Sequence, residues 1–253
     1  MRQDDRVLFD RALHRARVSA YASGEFVGQE SFMTAGEIRA VASQVGIGRA
    51  TAVLDVCCGI GGPGRFLTRE LGCAYLGVDA SASAVAVARE RAGDLPCRFA
   101  IAHVPPLPAG TFDVVLLLET MLAFEAKDAL MQEVAAALRP GGRLAFTLEE
   151  GPPLTTAERA AMPDAETVWL APLDQMAASL ERVGLVVTWQ EDHTRAHSAT
   201  ARALAEAFAA DAERIAAQIG RRALDELLAA HRLWIDWLDD GRVRKLAVVA
   251  ERS

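Results

Sequence analysis

Cysteine is scarce in this 253-residue chain: Cys57, Cys58, Cys73 and Cys97 are its four, two of them adjacent and none in CxxC spacing. That pattern supplies neither a zinc set nor a disulfide framework, so a reducing compartment is expected and no metal ligands are read from the chain. Cations are also in deficit, with 27 Lys plus Arg against 34 Asp plus Glu and a formal net charge of −7. Phosphate neutralisation needs clustered cations, which argues against nucleic acid as a partner. No apolar run approaches the roughly 18 residues that span a bilayer. The N-terminus, MRQDDRVLFDRALHRAR, is charged throughout and lacks a signal-peptide core. Together these absences are read as a cytoplasmic protein with no membrane partner. What remains is 51% hydrophobic and 24% charged, the ordinary globular balance. At roughly 150 residues per domain the length allows one large α/β unit.

Periodicity divides the chain. Leu8, Ala12, Leu13 and Ala16 lie on one face of a helical pattern over 4–20, residues 21–32 show no period, and Thr34 with Glu37 makes a capping box ahead of Ile38, Val41 and Val45. From Ala50 short apolar runs alternate with helical patterns, as in a parallel sheet with crossover helices. Strands are expected at 52–57, 74–78, 97–101, 112–118, 143–148, 185–189 and 242–251, and helices at 63–71, 83–92, 127–138 and 173–183. Leu204, Phe208, Ala212, Ile215 and Ile219 form one apolar stripe; Leu224, Leu227, Leu228, Trp234, Ile235 and Leu238 form a second. They predict a two-helix insertion before the last strand. The expected divisions are 1–48 for N-terminal helices and lid, 49–195 for a core, 196–240 for a helical cap and 241–253 for the final strand.

The most informative stretch is Val53-Leu54-Asp55-Val56-Cys57-Cys58-Gly59-Ile60-Gly61-Gly62-Pro63-Gly64. An apolar strand ends, glycines permit a tight turn close to a ligand, and proline suits the first helical turn. Gly59, Gly61 and Gly64 satisfy the dinucleotide pattern, and Asp79 falls where a ribose-binding acid would. A dinucleotide oxidoreductase is therefore one alternative. Asp55 favours another cofactor, because an anion ahead of the turn repels pyrophosphate and attracts an ammonium group.

With Phe112-Asp113-Val114-Val115 and Leu138-Arg139-Pro140-Gly141-Gly142-Arg143-Leu144 downstream, these residues resemble the class I S-adenosylmethionine-dependent methyltransferases of small-molecule type. The resemblance implies a Rossmann-like, doubly wound, mostly parallel seven-stranded sheet with an antiparallel last strand. It implies S-adenosylmethionine as cofactor, with Asp55 beside its methionine portion, Gly59 and Gly61 passing close, and Asp79 on the ribose hydroxyls. Two departures stand out: Cys57 replaces the family's first glycine, and Ala102 and His103 occupy the adenine side where an acid is common. Residues 21–32 resemble the family's lid, with Tyr21, Phe26, Gln29 and Phe32 as lining candidates and Phe208, Trp234 and Trp237 as the facing wall.

Methyl transfer from a sulfonium chiefly requires alignment of an acceptor and removal of its proton. Strand ends carry Glu119, Thr120 and Met121, then Glu149 and Glu150, then Asp192, His193 and His197. Glu119 is the candidate beside both cofactor and acceptor. His193, with an unperturbed pKa of about 6.5, is the candidate base, weighed against a surface residue or helix-start partner. Glu149 and Glu150 are read as a solvated loop, residues 242–245 as a solvated strand start, Cys57 and Cys58 as small apolar residues, and His231 as lacking any constellation. The expected activity is methylation of a small organic acceptor at nitrogen or oxygen rather than carbon, releasing S-adenosylhomocysteine. A non-methylating reaction on the same fold, such as cyclisation, is the other alternative, and a homodimer is allowed.

Overall fold

The computed structural model describes residues 3–253, with side chains from Ala12 onward, so the Leu8 side chain lies outside the described residues. Two helices, α1 (Gln3–Ala20) and α2 (Ala35–Gln44), precede a core of β1 (Ala52–Val56), α3 (Gly62–Leu71), β2 (Ala74–Asp79), α4 (Ala82–Ala92), β3 (Cys97–Ile101), β4 (Phe112–Leu117), α5 (Lys127–Ala137) and β5 (Leu138–Glu150). There follow α6 (Thr156–Ala161), α7 (Leu173–Arg182), β6 (Leu185–Asp192), the helices α8 (Thr194–Ala210), α9 (Ala212–Ile219) and α10 (Arg221–Asp239), and β7 (Arg244–Arg252). The seven strands lie in the order β3-β2-β1-β4-β5-β7-β6. Pairings from β3 through β5 are parallel, whereas β7 runs antiparallel to both β5 and β6. This is the expected doubly wound sheet.

Each strand feeds both faces because successive side chains alternate. Val53, Tyr75, Phe99, Leu116 and Val249 pack under Ile38, Phe66, Leu67 and Val85 on one side. Leu54, Val78, Leu117, Phe146 and Val248 pack under Leu130, Met131, Val134 and Met176 on the other. A third cluster joins Ala12, Leu13 and Ala16 of α1 to Leu204, Phe208, Ile215 and Leu224, so the N-terminal helix and the insertion form one helical cap. No helix among the described residues is long and apolar enough to cross a membrane.

Three local expectations are corrected. The insertion has three helices, since the chain breaks at Asp211 and at Gly220, the latter at φ 88°. A short α6 starts from the Thr155–Glu158 capping box, which the sequence pattern left unassigned. Strand β5 reaches Glu150, so Glu149 and Glu150 are sheet residues facing Lys245 and Arg244 across β7, not a loop.

Two features make the fold sensitive to single atoms. A Cβ at Gly62 would lie 2.3 Å from the Gly28 carbonyl carbon and oxygen, because the lid crosses directly over the start of α3. We predict that Gly62→Ala destabilises the protein by about 1–3 kcal/mol through overpacking, while Gly48→Ala, with nothing within 4 Å, stays close to wild type in urea unfolding. Asp55 is buried and accepts a hydrogen bond from the Tyr75 hydroxyl. Burial, with the Asp79 charge adding to it and the Tyr75 bond opposing, lifts its pKa to about 7. A carboxyl raised on folding stabilises the native state below its unfolded pKa and loses that contribution as pH rises through the folded value. Unfolding free energy should therefore fall between about pH 4 and pH 7, and Asp55→Asn should flatten that dependence in urea midpoints measured across the range.

Candidate active site

The chain reverses direction across the sheet between β1 and β4, and at such a switch point the carboxyl ends of the strands leave a crevice. Both strands end on a residue with left-handed backbone: Cys57 at φ 62° and Glu119 at φ 61°. Non-glycine residues in that region are strained, and such strain concentrates at functional sites. For Cys57 this explains why glycine is usual at its position. Within the turn, the bare Cα of Gly61 is packed by Phe99 and that of Gly64 by Tyr75, so their lack of a side chain serves the core. Gly59 differs. A Cβ there would meet only Glu30 Oε2 at 3.6 Å, and its φ is +53°, leaving open backbone facing the crevice.

The crevice holds about 90 Å³ and lies under the lid residues Gly28–Met33. Glu30, Asp55 and Glu119 are on its wall, with no Lys, Arg or His. Such a wall repels a pyrophosphate and favours a cationic group. Asp55 is not the permanent anion expected from sequence, since its pKa is near 7. Asp79 is half-buried at the end of β2, where Oδ2 accepts from Gly59 N at 2.9 Å and Oδ1 from Ser81 N at 2.8 Å. These bonds aim the carboxylate and leave lone pairs for further donors. The Ala102 amide donates to the Asp79 carbonyl at 3.0 Å. His103 follows, exposed, and neither residue lines the 90 Å³ crevice.

A second cavity, of about 250 Å³, lies between the lid, the strand ends and the helical cap. Glu30, Ser31 and Glu119 line both spaces. Phe32, Phe208 and Trp234 supply its apolar surface as expected, together with Leu204 and Leu227. Gln29 lines the crevice. Tyr21, Phe26 and Trp237 are elsewhere: Tyr21 donates to the Ser31 carbonyl, Phe26 packs on His14 and Tyr21, and Trp237 sits with Leu154 and Met162. His231, unassigned by sequence, is on the cavity wall with Nδ1 2.8 Å from the Leu227 carbonyl.

One end of this cavity is ionic. Lys245 Nζ donates to Glu119 Oε2 at 2.7 Å and to Glu149 Oε1 at 2.5 Å, and all three side chains are buried. The ammonium also lies over the Phe32 and Trp234 rings, 5.4 and 5.7 Å from their centroids. Burial pushes Glu119 upward, but Lys245 and His197 outweigh it and hold its carboxyl below the usual range. For Glu149 burial prevails and its pKa is raised. Glu149 Oε2 is buried and has no hydrogen-bond partner. The reading of 242–245 as a solvated strand start is thus overturned at Lys245. The signal was available: a lysine inside a strand apolar on both faces must find a buried counter-charge.

His193 and His197 do not reach either space. His193 Nδ1 lies 2.8 Å from Glu37 Oε1 and its Nε2 3.3 Å from Glu191 Oε2. The Glu37 bond raises the His193 pKa against the effect of burial. His197 Nε2 lies 3.4 Å from Glu37 Oε2 and its Nδ1 3.5 Å from Glu119 Oε1. Thus Glu37 joins two histidines that sequence reasoning left apart from it. Asp192 accepts from the Thr194 amide at 2.9 Å, the helix-start role.

Comparison with known proteins agrees with this geometry. Residues 53–142 match a family model described as a methyltransferase domain. Over 100 residues the chain is 39% identical to "Methyltransferase GfsG" of Streptomyces halstedii, a stretch covering 37% of this chain. It spans only about a third (36%) of that relative's length. Among solved structures, the cyclopropane synthase MmaA2 from Mycobacterium tuberculosis superposes with a TM-score of 0.82 at 12% identity, over 100% of this chain and 99% of that one. A Haemonchus contortus phosphoethanolamine N-methyltransferase 2 bound to S-adenosylhomocysteine superposes with a TM-score of 0.78 at 21% identity, over 98% of this chain and 60% of that one. Residues 53–142 thus match a methyltransferase domain, and the strand order, the glycine turn and the solved neighbours give the whole chain the fold of the class I S-adenosylmethionine-dependent methyltransferases.

Proposed function

We propose that this chain transfers the methyl group of S-adenosylmethionine to nitrogen or oxygen of a small organic acceptor in the cytoplasm, releasing S-adenosylhomocysteine. The observation that carries this proposal is the wall of Glu30, Ser31 and Glu119 shared by the 90 Å³ crevice and the 250 Å³ cavity. A transfer enzyme needs two such spaces meeting at one wall. The crevice suits the cofactor because its wall is acidic and its backbone is bare at Gly59. Asp79 would hold the ribose hydroxyls, Asp55 and Glu119 would face the cationic end, and Ala102 and His103 would flank the adenine side. When bound, S-adenosylmethionine supplies a methyl group already activated on a sulfonium.

The protein's own residues then align the acceptor and manage its proton. Phe32, Phe208 and Trp234 pack the acceptor's apolar part and exclude water. Glu149, at the ionic end of the cavity with its pKa raised by burial, accepts the N–H or O–H of the acceptor. Glu119 stands at the shared wall, its charge fixed by Lys245. His193 lies behind that wall, linked to it through Glu37 and His197, and in this mechanism it is a positioning residue rather than the base.

Asp79→Ala should weaken S-adenosylhomocysteine binding by about 1–3 kcal/mol, the worth of charge-assisted hydrogen bonds. Calorimetry checks this, and unchanged affinity in a folded variant removes Asp79 from the ribose. In a screen of amines and alcohols for S-adenosylhomocysteine release, Glu149→Gln should lower kcat on the accepted compound by about 100-fold while S-adenosylhomocysteine affinity is retained. Full turnover in that variant would assign proton removal elsewhere.

A further inference from the structure

Behind the shared wall, Glu37, His193 and His197 converge although α2 and the start of α8 are far apart in sequence. We propose that these three residues bind a divalent transition-metal ion as a two-histidine, one-carboxylate set. One ligand atom from each side chain lies within 4.8 Å of the others. The individual approaches are 2.8 Å from Glu37 Oε1 to His193 Nδ1 and 3.4 Å from Glu37 Oε2 to His197 Nε2. Donors bound at about 2.0–2.2 Å to a common ion have to sit at separations of this order.

The opposite nitrogens carry a second, independent observation. A ligating histidine characteristically directs its other ring nitrogen at a carboxylate, which fixes tautomer and orientation. Here His193 Nε2 faces Glu191 Oε2 at 3.3 Å, and His197 Nδ1 faces Glu119 Oε1 at 3.5 Å. Both imidazoles therefore have a carboxylate on each side, with Glu37 common to the inner pair. His197 is 1% exposed, and neither of its ring nitrogens has a hydrogen-bond partner; His193 Nε2 lacks one as well. Buried polar atoms without partners are rare in native proteins, and an ion held between the inner nitrogens would supply the partner that His197 Nε2 lacks.

The scaffold is rigid where the ligands are mounted. His193 and His197 stand one helical turn apart at the start of α8, and the His193 amide is tied to the Lys245 carbonyl at 2.8 Å. Glu37 is held by its capping box, with Oε2 accepting from the Thr34 amide at 2.7 Å. Four carboxylates, Glu37, Glu119, Glu149 and Glu191, surround the region against one lysine, Lys245. That excess of negative charge suits a dication. Two imidazoles and a carboxylate favour Zn²⁺, Fe²⁺ or Co²⁺ over the hard ions Mg²⁺ and Ca²⁺. Bound there, the ion clamps α2 to the start of α8 and orients Glu119 through His197.

Metal uptake tests this without reference to methyl transfer. The full chain, purified in chelator and dialysed, is titrated with Zn²⁺ by calorimetry and with Co²⁺ by visible absorption. One ion per chain is expected, with Co²⁺ ligand-field bands, a raised melting temperature, and uptake weakened at least about 10-fold in His197→Gln and Glu37→Gln. His14→Gln should bind as wild type. Circular dichroism establishes whether the variants are folded. If they are not, paramagnetically shifted imidazole resonances of the Co²⁺ form of the wild type identify the ligands. A folded wild type that takes up neither metal, uptake unchanged in both folded variants, or shifted resonances belonging to other histidines would overturn the proposal. Any of these results leaves the cofactor crevice untouched, and loss of S-adenosylhomocysteine binding in Asp79→Ala says nothing about the metal.

Discussion

An ammonium group sealed from water between two carboxylates governs this site. Lys245 comes from β7, Glu149 from β5 and Glu119 from the end of β4, three neighbouring strands in the sheet order. Taking three charged groups out of water is expensive, and their mutual attraction recovers that expense only with close geometry. Apolar residues would stabilise the same place as well. What the triad supplies is a location: it fixes the Glu119 carboxylate at the wall where crevice and cavity meet and holds Glu149 at the ionic end of the cavity. The two acids are driven apart in pKa by the same lysine and the same burial.

The backbone cooperates with this arrangement. The left-handed conformation of Glu119 turns the chain sharply at the end of β4, and its amide is retained by the Thr147 hydroxyl at 2.5 Å on the neighbouring strand. Cys57 makes the matching bend at the end of β1. The two bends open the sheet edge at the switch point, and the lid closes it again: Gly28 passes so near Gly62 that no side chain fits between them. The lid is anchored on the cap through Arg17 and Glu30 at 3.0 Å and on the strand end through the Phe32 amide, 3.5 Å from Glu119 Oε2.

The sheet was legible in the sequence because strands buried on both faces read as unbroken apolar runs, and the glycine turn because its bends demand particular residues. Asp79 stands at the end of β2 beside that turn, hydrogen-bonded to the Gly59 amide. The cap was read less well. The stripe through Leu204, Phe208, Ala212 and Ile215 keeps helical spacing across Asp211, so the break there depends on packing against α1 rather than on local pattern. The ionic residues were read least well, since Lys245 and Glu149 are 96 positions apart and Glu37 and His193 are 156 apart. Glu37 was visible only as a helix cap. One carboxylate oxygen does perform that task, and only the folded chain reveals that the pair together also face two histidines.

The chemistry open to the acceptor follows from how the cavity is divided. Its aromatic walls, Phe32, Phe208 and Trp234, offer no strong acceptor to a polar group, whereas its ionic end offers two carboxylates partly neutralised by one lysine. On the proposed function, the cavity would take a compound with a proton-bearing polar group, that of an amine or alcohol, at the ionic end and an apolar body along the aromatic walls.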